Sequence, residues 1–465
     1  MRGKPHFEIG RDRAFIQSFM ATSLPVREKG SLGVEALTAA ADLGALRHGR
    51  LEVLDGVRGI AILLVMMFHF WETGVIAKPV LWEKIYSDIA GMGWIGVDLF
   101  FVLSGFLITG ILYDSRKTSS YFRVFYGRRI VRIFPLYYAA LIFFFLVIPV
   151  LLPHIHHSAS FDIGTTLIGK VTAWTYLLNW YEGFKGFDVI PHPLQHFWSL
   201  AIEEQFYMVW PFLVLKLSRR RLISVCFGIM AVGLALRMGL YWIHLPIAAY
   251  TWTFCRADSL AVGAVVALCL RDPEDWRTIT TWARRLALPG FCGIVLLRVL
   301  SPSSYRGPGA DPTFLMSTVE LSLAGIFFAS CLTVVMNMEH DHLSCRLLGS
   351  RFLRFFGKYS YCLYVCHVPM ISVFAKAGLN SDFLFKRLHN EFLAVVAMNV
   401  IGFSISIAIA LLSWNLYEKQ WLKLKDHPLL RRADQPMLRR ADQPRQQVNH
   451  NIPNAGSAVL AESAD

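Results

Sequence analysis

The residues in this 465-residue sequence best suited to chemistry begin with Arg58 and His69, eleven positions apart in "LDGVRGIAILLVMMFHFW". On an α-helix that separation is about three whole turns plus 20°, so both side chains share one face about 16 Å apart. Two readings stand side by side. As ionisable groups at membrane depth they mark a functional face. As structural groups, Arg58 reaches for headgroups and His69 bonds a neighbouring helix.

Further along, "GWIGVDLFFVLSGFLITG" carries Asp98 at a depth similar to His69, a candidate to fix the imidazole tautomer and raise its basicity. In "YGRRIVRIFP", Arg128 and Arg132 stand at i,i+4 beside Arg129. That spacing suits a clamp on a phosphate-rich ligand, or equally a positive-inside anchor. The segment "HFWSLAIEEQFYMVWP" lines up His196, Ser199, Glu203, Tyr207 and Trp210 roughly along one stripe, with Glu204 turned away by about 100°. Two adjacent carboxylates inside an apolar span are costly. One is a candidate partner for His69, and the other a tie between helices. Arg256 and Asp258 in "FCRADSLAVGAV" are either partners in an acceptor site or a plain charge pair. Tyr364 and His367, at i,i+3 in "GKYSYCLYVCHVP" with Ser360 and Tyr361, read as acceptor-side groups or as polar glue between helices, with the latter slightly favoured. Gly96, Gly105, Gly110 and Ser104 would let helices approach closely.

The elements that must position these groups are membrane helices. The chain is 55% hydrophobic and 17% charged, against the roughly 25% charged residues of a soluble protein. Apolar stretches long enough for the roughly 30 Å hydrocarbon layer recur from residue 54 to residue 417. The expected fold is all-α, a polytopic integral membrane bundle of about ten transmembrane helices. Spans are read near 54–72, 94–113, 131–152, 196–216, 222–243, 254–270, 285–300, 314–337, 355–376 and 393–417. The basic stretch "YDSRKTSSYFRVFYGRRIVRIFP" fixes the cytoplasmic side, and alternation then puts both termini inside, in the cell inner (plasma) membrane. Counting "TTLIGKVTAWTYLLNWY" as a full span would place "SRRR" outside, so this stretch reads as interfacial or re-entrant.

Residues 1–50 read as a cytoplasmic extension without the h-region of a signal peptide, partly helical around "VEALTAAADLGAL". Residues 51–422 form the transmembrane domain, and 423–465 a basic and polar tail, expected to be disordered, in which "LRRADQP" occurs twice. The net charge of +13 sits in clusters beside apolar segments, which argues for topology signals and against nucleic acid. The eight cysteines suggest neither a zinc site nor a disulfide framework, and no metal or permanently bound cofactor is expected.

In their order along the chain, "LDGVRGIAILLVMMFHF", "GVDLFFVLSGFLI", "RRIVRIFPLYY", "HFWSLAIEEQFYMVWP", "RADSLAVGA" and "YSYCLYVCHVP" resemble the signature segments of the membrane-bound acyltransferase-3 family. The resemblance covers about residues 51–422. It implies transfer of an acyl group, commonly acetyl, from a cytoplasmic acyl-CoA to a hydroxyl of a carbohydrate or lipid-linked acceptor. It also implies that Arg58 and His69 match the family's essential Arg and His. Arg128, Arg129 and Arg132 match the basic motif implicated with the acyl-CoA donor, and Ser199, Glu203, Glu204 and Tyr207 match its Ser-Leu-x-x-Glu-Glu-x-Phe-Tyr motif. His69 would act as general base or take the acyl group transiently, oriented by Asp98 or Glu203. A hydrolase-like domain of the kind some members carry is not read after the last helix. The competing classes are a secondary transporter of a sugar or lipid-linked intermediate using the same charges as a proton relay, and a membrane scaffold or sensor.

Overall fold

A computed structural model describes residues 33–71, 76, 79–150, 166–190, 192–300, 313–339, 341–376 and 378–430. Every regular element among them is helical. This is the solution that membrane-grade sequence demands, since a helix satisfies its own backbone groups where no water can. The tail beyond residue 430, the first 32 residues and the loop "PHIHHSASFD" lie outside the described residues.

The long helices are α1 (Gly33–Trp71), α3 (Gly96–Ser115) and α4 (Tyr121–Ile142), after the short α2 (Leu81–Gly91). Two eight-residue helices follow, α5 (Leu167–Trp174) and α6 (Leu178–Lys185). Next come α7 (Trp198–Lys216), α8 (Arg219–Trp242), the short α9 (Pro246–Thr251), α10 (Thr253–Cys269), α11 (Pro273–Leu300) and α12 (Leu321–Asn337). The chain closes with α13 (Leu343–Leu348), α14 (Arg351–Lys376), α15 (Ser381–Leu388), α16 (Glu391–Ser413) and α17 (Lys419–Leu422).

Among the described residues, seven helical segments are long and apolar enough to cross a membrane. The segments expected as the other three spans are helical, as α7, α11 and α14 of 19, 28 and 26 residues, but are not apolar enough to count among the seven. Their hydropathy is diluted by charged and polar side chains such as Glu203, Glu204, Arg284 and Lys358. Helix α4 starts at Tyr121, about three turns before the expected 131, and α11 at Pro273 instead of 285, because the polar stretches at their entrances are helical too. Residues 33–50 of the N-terminal extension likewise continue into the first span as one helix. The stretch expected to be re-entrant breaks into α5 and α6, each about 12 Å long and too short to cross. The break falls at Tyr176, whose φ of 56° stops the helix.

Helix α1 lies along α14, α3 along α10, and α10 against α8 and α12. Helix α1 meets the end of α13 and the start of α14 backbone to backbone. A Cβ on Gly56 would overlap the Leu348 carbonyl, one on Gly59 the Leu353 carbonyl, and one on Gly357 the Asp55 carbonyl. Small residues allow this approach, the usual basis of helix association in membranes. Around the bundle, α8, α11 and α16 expose large apolar side chains such as Phe227, Leu296 and Val400, as a lipid-facing surface should.

Candidate active site

Two cavities meet where α4 begins. The outer one, about 800 Å³ of atom-free space, is a basic mouth lined by Arg128, Arg129 and Arg132 of α4 and by Lys425 from the segment after α17. The deeper one, about 850 Å³, takes in Arg58, Ser104, Glu203, Glu204, Tyr207 and Tyr364. Arg129 and Arg132 line both. Their adjacency follows from the sequence, since positions 128, 129 and 132 occupy one side of a helix over little more than a turn.

Each cation is held differently. Arg128 Nε donates to the Leu430 carbonyl at 2.8 Å, which draws the end of the described chain onto the mouth. The Arg129 guanidinium lies 4.5 Å from the centre of the Tyr207 ring. Arg58 Nη1 pairs with Asp55 Oδ1 at 3.2 Å. Arg132 has no hydrogen-bonded or ion-paired partner among the described residues and stands exposed to the cavities. The Tyr207 hydroxyl donates to Glu203 Oε2 at 2.9 Å and accepts from Ser104. Glu204 Oε1 is buried with no hydrogen-bond partner among the described residues.

At the far end of the deeper cavity, Ser199 Oγ and Tyr364 Oη are 2.6 Å apart. Behind them stand three histidines. The His69 and His367 ring centres are 4.9 Å apart, those of His196 and His367 5.1 Å, and those of His69 and His196 6.5 Å. His196 Nε2 lies 2.8 Å from the Tyr364 carbonyl. His367 Nδ1 lies 2.8 Å from the same oxygen and 3.0 Å from the Leu363 carbonyl. His69 Nδ1 is 2.9 Å from Val65 O and 3.3 Å from His367 Nε2.

The structure therefore brings most of the expected residues together but pairs them differently. Asp98, expected beside His69, accepts from Ser259 Oγ at 2.9 Å and faces Arg256 Nη2 at 3.0 Å. It sits on α3 against α10, where a fully buried arginine claims it. Glu203, the other expected partner of His69, is bonded to Tyr207 instead, because it lies two turns further down the bundle, level with Arg129. Arg256 and Asp258 do not pair with each other. Arg256 takes Asp98 and stands among the rings of Phe101, Trp198 and Tyr250, while Asp258 pairs with Arg237 at 2.8 Å. Two residues apart on a helix, they point about 200° from each other. His367, read from sequence as acceptor-side or polar glue, stands with its Nε2 3.3 Å from His69 Nδ1. His196, placed on the α7 stripe without a role, completes the cluster from the turn before that helix. The glycines that set the α1/α14 distance escaped the sequence reading, although Gly56 and Gly59 stand at i,i+3 on α1.

Residues 51–414 match the acyltransferase-3 family, described as an acyltransferase domain. The chain is 31% identical over 352 residues to the YrhL protein of Bacillus subtilis (strain 168), covering 70% of this chain and 49% of that protein. It is 27% identical over 345 residues to the peptidoglycan O-acetyltransferase OatA of Listeria monocytogenes serovar 1/2a, covering 69% and 49%. With the O-acetyltransferase OatA of Staphylococcus aureus (strain NCTC 8325 / PS 47) it shares 27% over 342 residues, 68% and 50% of the two chains. The chain spans about half the length of the curated relatives it matches. No solved structure matches. Because the family match runs from α1 to the start of the turn after α16 and takes in every lining residue of both cavities except Lys425, the chain belongs to the acyltransferase-3 family.

Proposed function

We propose that this chain is a membrane O-acyltransferase carrying an acetyl group from cytoplasmic acetyl-coenzyme A to a hydroxyl of a cell-wall carbohydrate, with His69 as general base. The observation that carries this reading is the sharing of Arg129 and Arg132 between a basic mouth and a cavity that reaches Ser199 and Tyr364, the residue whose carbonyl meets His196 and His367. Four cations at the mouth suit the phosphates of coenzyme A, and guanidinium groups suit them bidentately. The deeper cavity then offers a path for the thioester arm toward Ser199, Tyr364 and His69. The positive-inside rule supports a cytoplasmic mouth, and with it cytoplasmic termini. Peptidoglycan is the favoured acceptor because the Listeria OatA it resembles is named for that substrate.

In the proposed step, the His69 imidazole takes the proton of the acceptor hydroxyl as the hydroxyl oxygen bonds to the acyl carbon. The carbon–sulfur bond breaks, and the coenzyme A sulfur leaves with its electron pair and receives that proton. Among the described residues no carboxylate is hydrogen-bonded to His69; its Nδ1 meets the Val65 carbonyl and His367 Nε2.

The test is mass spectrometry of wall glycans from a deletion strain and from the strain carrying His69→Ala. The expected result is loss of acetylated muropeptides in both. Wall glycans that keep every acetyl group in the deletion strain refute the acceptor. A His69→Ala protein present at normal level that restores acetylation refutes the base.

A further inference from the structure

The reading of His69 as a base leaves open which of its nitrogens does the work and what holds the ring. Hydrogen-bond accounting over the cluster answers both. Carbonyl oxygens only accept, so His367 Nδ1, with two carbonyls at 2.8 and 3.0 Å, carries a hydrogen. A neutral His367 then has its lone pair on Nε2. His69 Nδ1 likewise carries a hydrogen, because Val65 O lies 2.9 Å away. That same N–H has a second acceptor in His367 Nε2 at 3.3 Å. The lone pair of His69 is consequently on Nε2, which no group among the described residues engages.

We propose that His367 is the positioning residue for His69: through its Nε2 it accepts the His69 Nδ1 hydrogen, fixing the tautomer that leaves His69 Nε2 free to deprotonate the acceptor. This rests on the base reading above and adds its second half. In an acid-base dyad the orienting group is commonly a carboxylate, and the two carboxylates nearest in sequence expectation, Asp98 and Glu203, are taken by Arg256 and Tyr207. A neutral histidine does the orienting here without a buried negative charge. When His69 gains the acceptor proton at Nε2, its Nδ1 hydrogen keeps two acceptors, Val65 O and His367 Nε2, and the imidazolium is stabilised by both. His367 neither gains nor loses a proton in the cycle. It is itself anchored: it is fully buried, and the Tyr364 carbonyl that holds its Nδ1 hydrogen also receives His196 Nε2.

The experiment uses membranes of expressing cells, acetyl-coenzyme A as donor and the wall glycan of those cells as acceptor, with rates normalised to the amount of protein. His367→Leu removes the acceptor nitrogen, and His367→Gln restores an acceptor oxygen at similar reach. The expected result is a fall in maximal rate of about tenfold or more for His367→Leu, the loss of one hydrogen bond to a charged group. The KM for acetyl-coenzyme A should stay within about twofold, and His367→Gln should recover most of the rate. Wild-type rate in His367→Leu overturns the proposal. So does His367→Gln as slow as His367→Leu at equal protein level, which would assign His367 to packing alone. His69→Ala, run alongside, separates the two ideas: activity in His69→Ala refutes the base, whereas an inactive His69→Ala with an unaffected His367→Leu refutes only the positioning role.

Discussion

Replacing Gly357 by alanine tests how the bundle sets the distance between His69 and His367. The added Cβ would overlap the Asp55 carbonyl of α1, and both atoms belong to helix backbones with no rotamer to escape into. An ordinary non-bonded contact needs about 3.5 Å, so α1 and α14 must part by about 1 Å or more. The 3.3 Å contact between His367 Nε2 and His69 Nδ1 then opens beyond about 4 Å, past hydrogen bonding. A displacement of about 1 Å at a reacting centre lowers turnover by about 100-fold, or about 2.7 kcal/mol of barrier. The assay is acetyl transfer in membranes at saturating acetyl-coenzyme A, normalised to protein level. Gly239→Ala is the control. It adds the same methyl group within α8, where nothing lies within 4 Å, and should leave turnover unchanged while stabilising the helix by about 0.5–1 kcal/mol. Gly357→Ala with wild-type turnover, or Gly239→Ala losing activity to the same extent, would refute the reasoning.

Arg132→Ala should raise the KM for acetyl-coenzyme A about tenfold or more with little change in kcat, since a charge-assisted contact to phosphate contributes about 1.5–3 kcal/mol. Arg132→Lys should fall between, and titration of the donor reads both. Arg256→Ala leaves Asp98 buried without its cation and should cost about 3–5 kcal/mol of stability. Thermal unfolding followed by dye labelling of the buried Cys255 and Cys269 measures that loss, and the surviving folded fraction should keep its kcat because Asp98 does not reach His69. Glu182, in the short α6, is fully buried with neither carboxylate oxygen hydrogen-bonded among the described residues, and burial holds its carboxyl well above the usual carboxylate range. The folded chain thus keeps a proton that the unfolded chain releases near pH 4.3 or about that value, and stability should fall as pH rises above it. Glu182→Gln should flatten this dependence and raise Tm at neutral pH, and Tm measured in detergent across that range checks it.

The helices were legible because lipid leaves the backbone no other choice, so long apolar runs and basic clusters translate directly into α1, α3, α8, α10, α12 and α16. Helical spacing also brought Arg128, Arg129 and Arg132 to one side of α4, and put Glu203 and Tyr207 on one stripe. Boundaries were less legible: polar entrances such as "YFRVFYGRR" continue α4 outward by about three turns, because hydropathy marks where lipid begins and not where helical hydrogen bonding begins. Pairing was not legible at all. Asp98 and Glu203 were both candidate partners of His69, and one-dimensional depth cannot tell which neighbour a side chain faces.

The sequence by itself determined an all-helical membrane bundle, the family, and the identity of the ionisable residues, all of which follow from composition, periodicity and motif order. Only the tertiary structure decided that Asp98 belongs to Arg256 and that His69 meets a histidine instead of a carboxylate. The physical reason is that these choices depend on the rotation and spacing of helices far apart in the chain. Backbone contacts at Gly59 and Gly357 set that spacing, with α1 and α14 some three hundred positions apart.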